Sequence, residues 1–269
     1  MFFSPGARPR AKARNIIGSV LNRMLAATSA NTMKANITGG SAAPTDATRA
    51  SSRSNILYAP QITVITASGA GTYTTPTVNG ELPIYLRIRM AGAGGGAGGS
   101  GTGGTNGNAG GNTTFGGVFT ANGGNPGVNS PTDGVFPTGG AASGGSINQS
   151  GQDGGSFFNT GSSFFAAPGG NSFFSGAGQF MIHTNTNAAA ANSAKANTGS
   201  GGAAGGTSAV VVYASGGASG AYCEGIITSP VSSYSYTNGA KGTGGNAGTS
   251  GTAGGNGADG IIIIEAYWQ

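Results

Sequence analysis

Glycine recurs at every third position along two stretches of the chain. The first is Gly92, Gly95, Gly98, Gly101, Gly104, Gly107 and Gly110; the second is Gly239, Gly242, Gly245, Gly248, Gly251, Gly254, Gly257 and Gly260. A three-residue period belongs neither to an α-helix, with about 3.6 residues per turn, nor to a strand, which repeats every second residue. It matches the left-handed polyproline-II helix, which has three residues per turn and rises about 3.1 Å per residue. Run straight, a stretch of roughly twenty residues would reach about 60 Å with one edge bare of side chains. Bare edges let backbones approach closely and exchange the hydrogen bonds that one such helix lacks. Collagen uses the same logic but needs abundant proline, and neither stretch contains any. The pattern therefore predicts glycine helices bundled side by side, as in crystalline polyglycine. Flexible glycine linkers are the competing reading.

Composition supports an unconventional interior. Glycine supplies 56 of 269 residues, against a usual share of about 7%. Ile, Leu, Val and Phe together number 43, below the roughly 20% at which an ordinary core becomes doubtful. Only 7% of residues are charged and the formal net charge is +5, so the chain lacks the self-repulsion of a typical disordered segment. A single cysteine excludes a disulfide framework within the chain. No apolar run approaches the length of a membrane-spanning helix, so no membrane insertion is expected.

Strand signals flank the glycine registers. In Leu82–Met90, Ile84, Leu86, Ile88 and Met90 alternate with Tyr85, Arg87 and Arg89, the pattern of a half-buried strand. Ile261–Ile264 is a continuous β-branched run that reads as a strand buried on both faces. Ile62–Thr66 and Val210–Tyr213 are further strands, and Asn79-Gly80 and Asn238-Gly239 carry hairpin turn chemistry. The expected fold is all-β: a glycine-rich β-sandwich with polyglycine/polyproline-II-like segments over residues 56–269. A short N-terminal helix and extended arm precede it over residues 1–55.

That arm holds most of the charge. Eight of the twelve basic residues precede Asn55 and only Asp46 opposes them. Ile16, Ile17, Val20, Leu21 and Met24 recur at helical spacing with Asn15 available as N-cap, predicting a helix from about Ile16 to Ala27. About three turns are too short to be stable alone in water, so its apolar stripe needs a partner: a second copy, a larger assembly or its own domain. Residues 28–54 read as a linker. A basic, acid-poor N-terminus also fits a mitochondrial transit peptide, although no motif of a protein that such an address would deliver follows it.

Three segments together carry a family resemblance. They are Gly71-Thr72-Tyr73-Thr74-Thr75-Pro76, then Leu86-Arg87-Ile88-Arg89-Met90-Ala91-Gly92-Ala93-Gly94-Gly95-Gly96, then Gly110-Gly111-Asn112-Thr113-Thr114-Phe115-Gly116. With the closing Gly254–Glu265 and its aromatic end, the chain from about Ile56 to Gln269 resembles the glycine-rich domain of tail-fibre and other virion proteins of tailed bacteriophages. The resemblance implies a virion structural protein at the host-contacting end of a fibre. The distal adhesins of T-even-like phages are similar in presenting variable loops on a glycine-helix sandwich; the basic arm is a departure from them. On this reading the partners are other virion proteins, a bacterial surface glycan or outer-membrane protein, and two further copies in a homotrimer, while nucleic acid is not expected. Arg8, Arg10, Lys12 and Arg14, with Ile16, Ile17, Val20, Leu21 and Met24, are the candidates for virion attachment.

Catalytic chemistry is hard to assemble from these residues, and no enzyme is expected. There is one histidine, His183, one cysteine, Cys223, and seven scattered acids. No histidine pair or Cys-x-x-Cys suggests zinc. Gly92–Gly104 satisfies a dinucleotide glycine pattern only through its abundance of glycine, with no helix after it, so no cofactor is expected.

Recognition is easier to place. Ser-Phe-Phe occurs three times, ending in Phe157-Phe158, Phe164-Phe165 and Phe173-Phe174. Adjacent aromatics cannot both face inward from one strand. Either some of these rings are exposed on loops as receptor contacts, or they form the small core that a glycine lattice lacks. Tyr234 and Tyr236 are read as a second aromatic loop and complete the receptor-contact candidates.

Overall fold

The computed structural model describes residues 32–35, 45–48, 59–130, 136–159, 163–179, 182–184, 190–207 and 213–268. The expected helix over 16–27 and the attachment candidates Arg8, Arg10, Lys12, Arg14, Ile16, Ile17, Val20, Leu21 and Met24 lie outside the described residues. The chain divides into two compact units, Met1–Ala59 and Pro60–Trp268. In the first, β1 (Thr32–Ala35) and β2 (Thr45–Thr48) pair antiparallel inside the segment read as a linker, with Lys34 opposite Asp46.

The described part of the second unit is all-β. Its strands are β3 (Gln61–Ile65), β4 (Gly69–Thr74), β5 (Tyr85–Ala91), β6 (Thr113–Phe115), β7 (Phe119–Ala121), β8 (Asn129–Ser130), β9 (Ala142–Ser143) and β10 (Ile147–Gln149). There follow β11 (Phe158–Asn159), β12 (Ser163–Phe165), β13 (Ile182–Thr184), β14 (Tyr213–Ala214), β15 (Tyr222–Ile227), β16 (Ser233–Asn238) and β17 (Ile261–Tyr267). Two five-stranded antiparallel sheets dominate, in the orders β10-β15-β5-β17-β3 and β4-β16-β6-β7-β9.

Alternation in β5 works as its sequence predicts: Leu86, Ile88 and Met90 are fully buried, while Tyr85, Arg87 and Arg89 occupy the other face. Ile84 is the exception, exposed just before the strand. In β17, Ile262, Ile264 and Ala266 are buried, but Ile261 and Ile263 are only half-buried, contrary to the expectation of burial on both faces. The reason is register. Ile263 sits opposite Arg89 on the face that the second sheet does not cover. The inner faces meet where a Cβ on Gly225 would lie 2.3 Å from the Phe119 ring, and where Cys223 Sγ approaches the Ser143 carbonyl at 3.5 Å.

Beyond the sheets the strands continue as extended glycine rods. β5 runs into rod 92–100, while rods 215–221 and 251–260 run into β15 and β17. Backbone hydrogen bonds along rod 92–100 repeat every three residues. Gly92, Gly95 and Gly98 donate to Ala221, Ala218 and Ser215; Ala93, Gly96 and Gly99 donate to Gly111, Asn108 and Thr105; Gly94, Ala97 and Ser100 donate to Ala258, Gly255 and Thr252. Its carbonyls accept from three more rods: from Gly124 and Gly127, from Gly202 and Gly205, and from Gly242, Gly245 and Gly248. Six rods therefore surround it. The three it donates to run antiparallel and the three that donate to it run parallel. Three residues per turn with φ negative throughout the rod is the geometry of an extended left-handed helix.

The reason for glycine is distance. Where side chains separate two sheets the layers stand about 10 Å apart. In the rods, neighbouring layers bond backbone to backbone, with N···O separations such as 2.9 Å from Gly242 to Gly94. A Cβ on Gly94, Gly95 or Gly96 would lie within 2.2 Å of a neighbouring carbonyl oxygen. At the lattice edge, side chains replace the missing rod: Asn256 Oδ1 accepts from Gly244 N at 2.8 Å, and Asp153 Oδ1 from Gly139 N at 2.9 Å.

Neither glycine register forms one long helix. Gly101 and Gly103, at φ +88° and +79°, turn the first back on itself, and Ser250, at φ 63°, turns the second. The expected reach of about 60 Å is thus replaced by antiparallel rods of about 30 Å. The turn at Asn79-Gly80 forms as expected, with φ of 53° and 83° and the Val78 and Glu81 backbones bonded across it. Asn238-Gly239 is no turn. Asn238 ends β16, the chain enters rod 239–248, and the Asn238 side chain donates to the Gly260 carbonyl at 3.0 Å.

Candidate functional site

The lattice fixes a short loop that projects two of the phenylalanines. Ser172 N donates to Ser200 Oγ at 3.0 Å, Ser172 Oγ donates to the Thr198 carbonyl, and Asn171 Oδ1 accepts from Ala177 N at 3.2 Å. Left-handed backbone at Ser175, φ 60°, and Gly176, φ 100°, completes the reversal. Side-chain bonds to nearby backbone of this kind stabilise tight turns. Phe174 packs edge-on against Tyr222 at a centroid distance of 5.9 Å, while Phe173 stacks on the same ring at 3.8 Å and 16°. Phe173 nonetheless remains 54% exposed. One face of its ring is covered by Tyr222, which leaves the other for contact.

Beside this ring lies a recess of about 340 Å³ whose walls include Gln149, Ser150, Gln152, Asn171, Phe173 and Tyr222, with glycine backbone at Gly151 and Gly220. Rods 150–155 and 215–221, the ends of β10 and β15 and the Phe173 loop supply these walls. Gln152 N donates to Ser219 Oγ at 2.7 Å and Gln152 Oε1 accepts from Asn171 N at 2.9 Å, so its carbonyl end is engaged and its NH2 end is left for a ligand or water. Among the described residues, the lining carries no ionisable side chain apart from the Tyr222 phenol.

Tyr222 joins the recess to a charged cluster on the outer face of the β10-β15-β5-β17-β3 sheet. Its hydroxyl donates to Glu224 Oε2 at 2.5 Å, and burial followed by this bond pushes its pKa well up, so it stays a neutral phenol. Arg87 Nε donates to Glu224 Oε1 at 2.8 Å, Arg87 also faces Glu265 at 3.6 Å, Arg89 pairs with Glu265, and the Tyr267 hydroxyl donates to Glu265 Oε2 at 2.8 Å. Burial works against both carboxylate charges, yet the tyrosine hydroxyls and guanidinium groups outweigh it and hold both pKa values below the ordinary range. Ile62, Val64, Ile147 and Ile226 stand exposed around this cluster. Cys223, on the opposite face of β15, is buried, and burial raises its thiol pKa. Such a thiol is a poor nucleophile. Among the described residues no cluster of three or more His, Cys, Asp or Glu side chains could hold a metal ion.

The structure separates the aromatic candidates. Phe173 and Phe174 come together at Tyr222. Phe157 lies elsewhere, stacked on Tyr213 at 3.7 Å. Phe158 lies in β11 and Phe164 and Phe165 in β12, with Phe158 opposite Phe165 and Phe164 opposite His183. Tyr234 and Tyr236 are in β16, between β4 and β6, and not in the expected loop. Tyr234 stacks on Phe115 at 5.3 Å and its hydroxyl accepts from Val231 N at 2.9 Å, while Tyr236 lies over Gly71, where a Cβ would meet its hydroxyl at 2.4 Å. Alternating Ser-Tyr-Ser-Tyr is a strand pattern, and that period was the available signal. Gln149, Ser150, Gln152, Asn171 and Tyr222 were not singled out in the sequence. They come from three separated segments that only the rod lattice assembles, and polar residues in a Gly/Ser/Asn-rich background give no local signal. Compared with known proteins, the chain matches no protein-family model and no curated protein sequence.

Proposed function

We propose that this chain is a virion structural protein of a tailed bacteriophage, a receptor-binding adhesin acting by noncovalent contact and not by catalysis. Its basic N-terminal arm and helix attach it to the virion, its glycine-rich sandwich of polyglycine-II-type rods faces the host, and it assembles as a homotrimer. The observation that carries this reading is Phe173: a large aromatic ring held half-open on a tight loop beside a polar recess, on a scaffold cross-bonded in every direction. Exposed aromatics presented by adaptable polar loops are a common device of recognition surfaces. Supporting it is the resemblance of residues 56–269 to phage glycine-rich domains.

Virions carrying Phe173→Ser test it. The adhesin reading expects normal assembly and reduced adsorption, and unchanged adsorption refutes it. A second reading, a non-adhesive head fibre, capsid decoration or tail-joining protein, is favoured by the exposed Ile62, Val64, Ile147 and Ile226 on one sheet face, an apolar surface suited to a neighbouring subunit. Light scattering on the purified protein with and without residues 1–55 tests the trimer and the role of the arm. A monomer in both forms would refute the trimer.

A further inference from the structure

We infer that the recess beside Phe173 is a binding site for a neutral carbohydrate, an inference that rests on the host-contact reading and gives its ligand a chemical class. A pyranose presents an apolar face of C–H groups and a rim of hydroxyls, each both donor and acceptor. The recess offers the complement. Phe173, half-exposed in the wall of the recess, is the platform, and Tyr222 stacked on it at 3.8 Å holds that ring in place. The Gln149 amide, the Gln152 NH2 group and the Ser150 hydroxyl supply mixed donors and acceptors at the rim. Glycine at 151 and 220 brings main chain to the wall without intervening side chains.

Charge selects within the class. A phosphate or carboxylate ligand calls for an arginine, a lysine or a helix N-terminus, and among the described residues none lines the recess. A cation calls for carboxylates, and none of the described residues lining it carries one; the nearby Glu224 is taken up by Tyr222 and Arg87. A lipid chain needs predominantly apolar walls, whereas among the described lining residues only Phe173 and Tyr222 carry large apolar side chains. The volume of about 340 Å³ is at the small end of ligand sites, enough for one or two sugar units of a longer chain.

The test is saturation-transfer NMR on the full-length protein with methyl glycosides of neutral hexoses and N-acetylhexosamines, and with glucuronic and sialic acids for comparison. Neutral glycosides should receive saturation and the acids should not. Phe173→Leu, which keeps an apolar side chain but removes the flat platform, should weaken binding about tenfold, equivalent to about 1.4 kcal/mol. Gln149→Ala should weaken it with the melting temperature unchanged. No saturation of any neutral glycoside, preference for the acids, or unchanged binding in both variants overturns the proposal. Labelled protein applied to host bacteria before and after periodate oxidation of their surface sugars separates the two levels of the argument. Loss of binding after periodate supports the glycan. Binding that survives periodate overturns the glycan and leaves host contact standing, and no binding to untreated cells overturns host contact itself.

Discussion

Replacing Gly96 by alanine tests whether the rods are a lattice or a set of linkers, because the two give opposite signs. In a flexible linker, glycine to alanine restricts the unfolded chain and is neutral or stabilises by about 0.4–1 kcal/mol. In the lattice, the new Cβ would lie 2.0 Å from the Thr243 carbonyl oxygen and 2.8 Å from Gly244 N. Ordinary C···O approach is about 3.3 Å, so rod 239–248 would have to retreat by about 1.3 Å. That rod is fastened to rod 92–100 by Gly242 to Gly94, Gly245 to Ala97 and Gly248 to Ser100, at 2.9, 2.9 and 2.8 Å. A shift of that size breaks all three, at about 1 kcal/mol each, and more if the groups stay buried and unsatisfied. Net of the unfolded-state effect, the expected loss is about 2–3 kcal/mol. Gly117→Ala is the control: its site is open, and only its φ of +66° is unfavourable, at about 1–2 kcal/mol. Urea unfolding followed by fluorescence of Trp268, the single tryptophan and buried in the fold, measures both. A Gly96→Ala protein as stable as the parent, or more stable than Gly117→Ala, refutes the reasoning.

Other consequences follow from single contacts. Glu224 and Glu265 have folded pKa values below the ordinary range, so their stabilisation is complete above about pH 4.3 and is lost as the pH falls through the depressed values. Melting temperature should therefore hold from neutral pH to about pH 5 and fall below about pH 4, and the double variant Glu224→Gln, Glu265→Gln should flatten that fall. Asn256→Ala removes the acceptor of Gly244 N and should cost about 1 kcal/mol in urea unfolding; no change would mean that water serves the edge equally well. The Cys223 thiol, buried and raised in pKa, should resist Ellman's reagent in the native protein and react once urea unfolds it. Prompt reaction of the folded protein would contradict its placement.

What could be read from the sequence was whatever has a local period. β5 follows from the alternation of Leu86, Ile88 and Met90, and the rods follow from the three-residue register of glycine. The turns that break the registers escaped because Gly101 and Gly103 look like any other glycine until φ is known. β17 was misread because four consecutive isoleucines hide which face is covered; pairing with Arg87 and Arg89 on β5 decides that. β16 was misread because its serines resemble loop composition while its tyrosines carry the strand period. At the candidate site Phe173 was legible as one of a repeated pair. Its partner Tyr222 and the amides of Gln149 and Gln152 were not, because contacts between residues some 20 to 70 positions apart are set by the order in which rods stack.

Hydrogen exchange on the backbone amides of residues 92–100 reads the lattice itself. Every one of these amides donates to one of three neighbouring rods, and all nine residues are buried. Amides of this kind exchange only when the whole unit opens, so Gly95, Gly96, Ala97 and Gly98 should be among the slowest in the protein, with free energies of exchange close to that of global unfolding. The open Gly117, in a surface turn with its φ of +66°, should exchange far faster. Exchange of residues 92–100 at the rate of an unstructured peptide would contradict the hydrogen-bonded rods and, with them, the rigid platform on which Phe173 is presented.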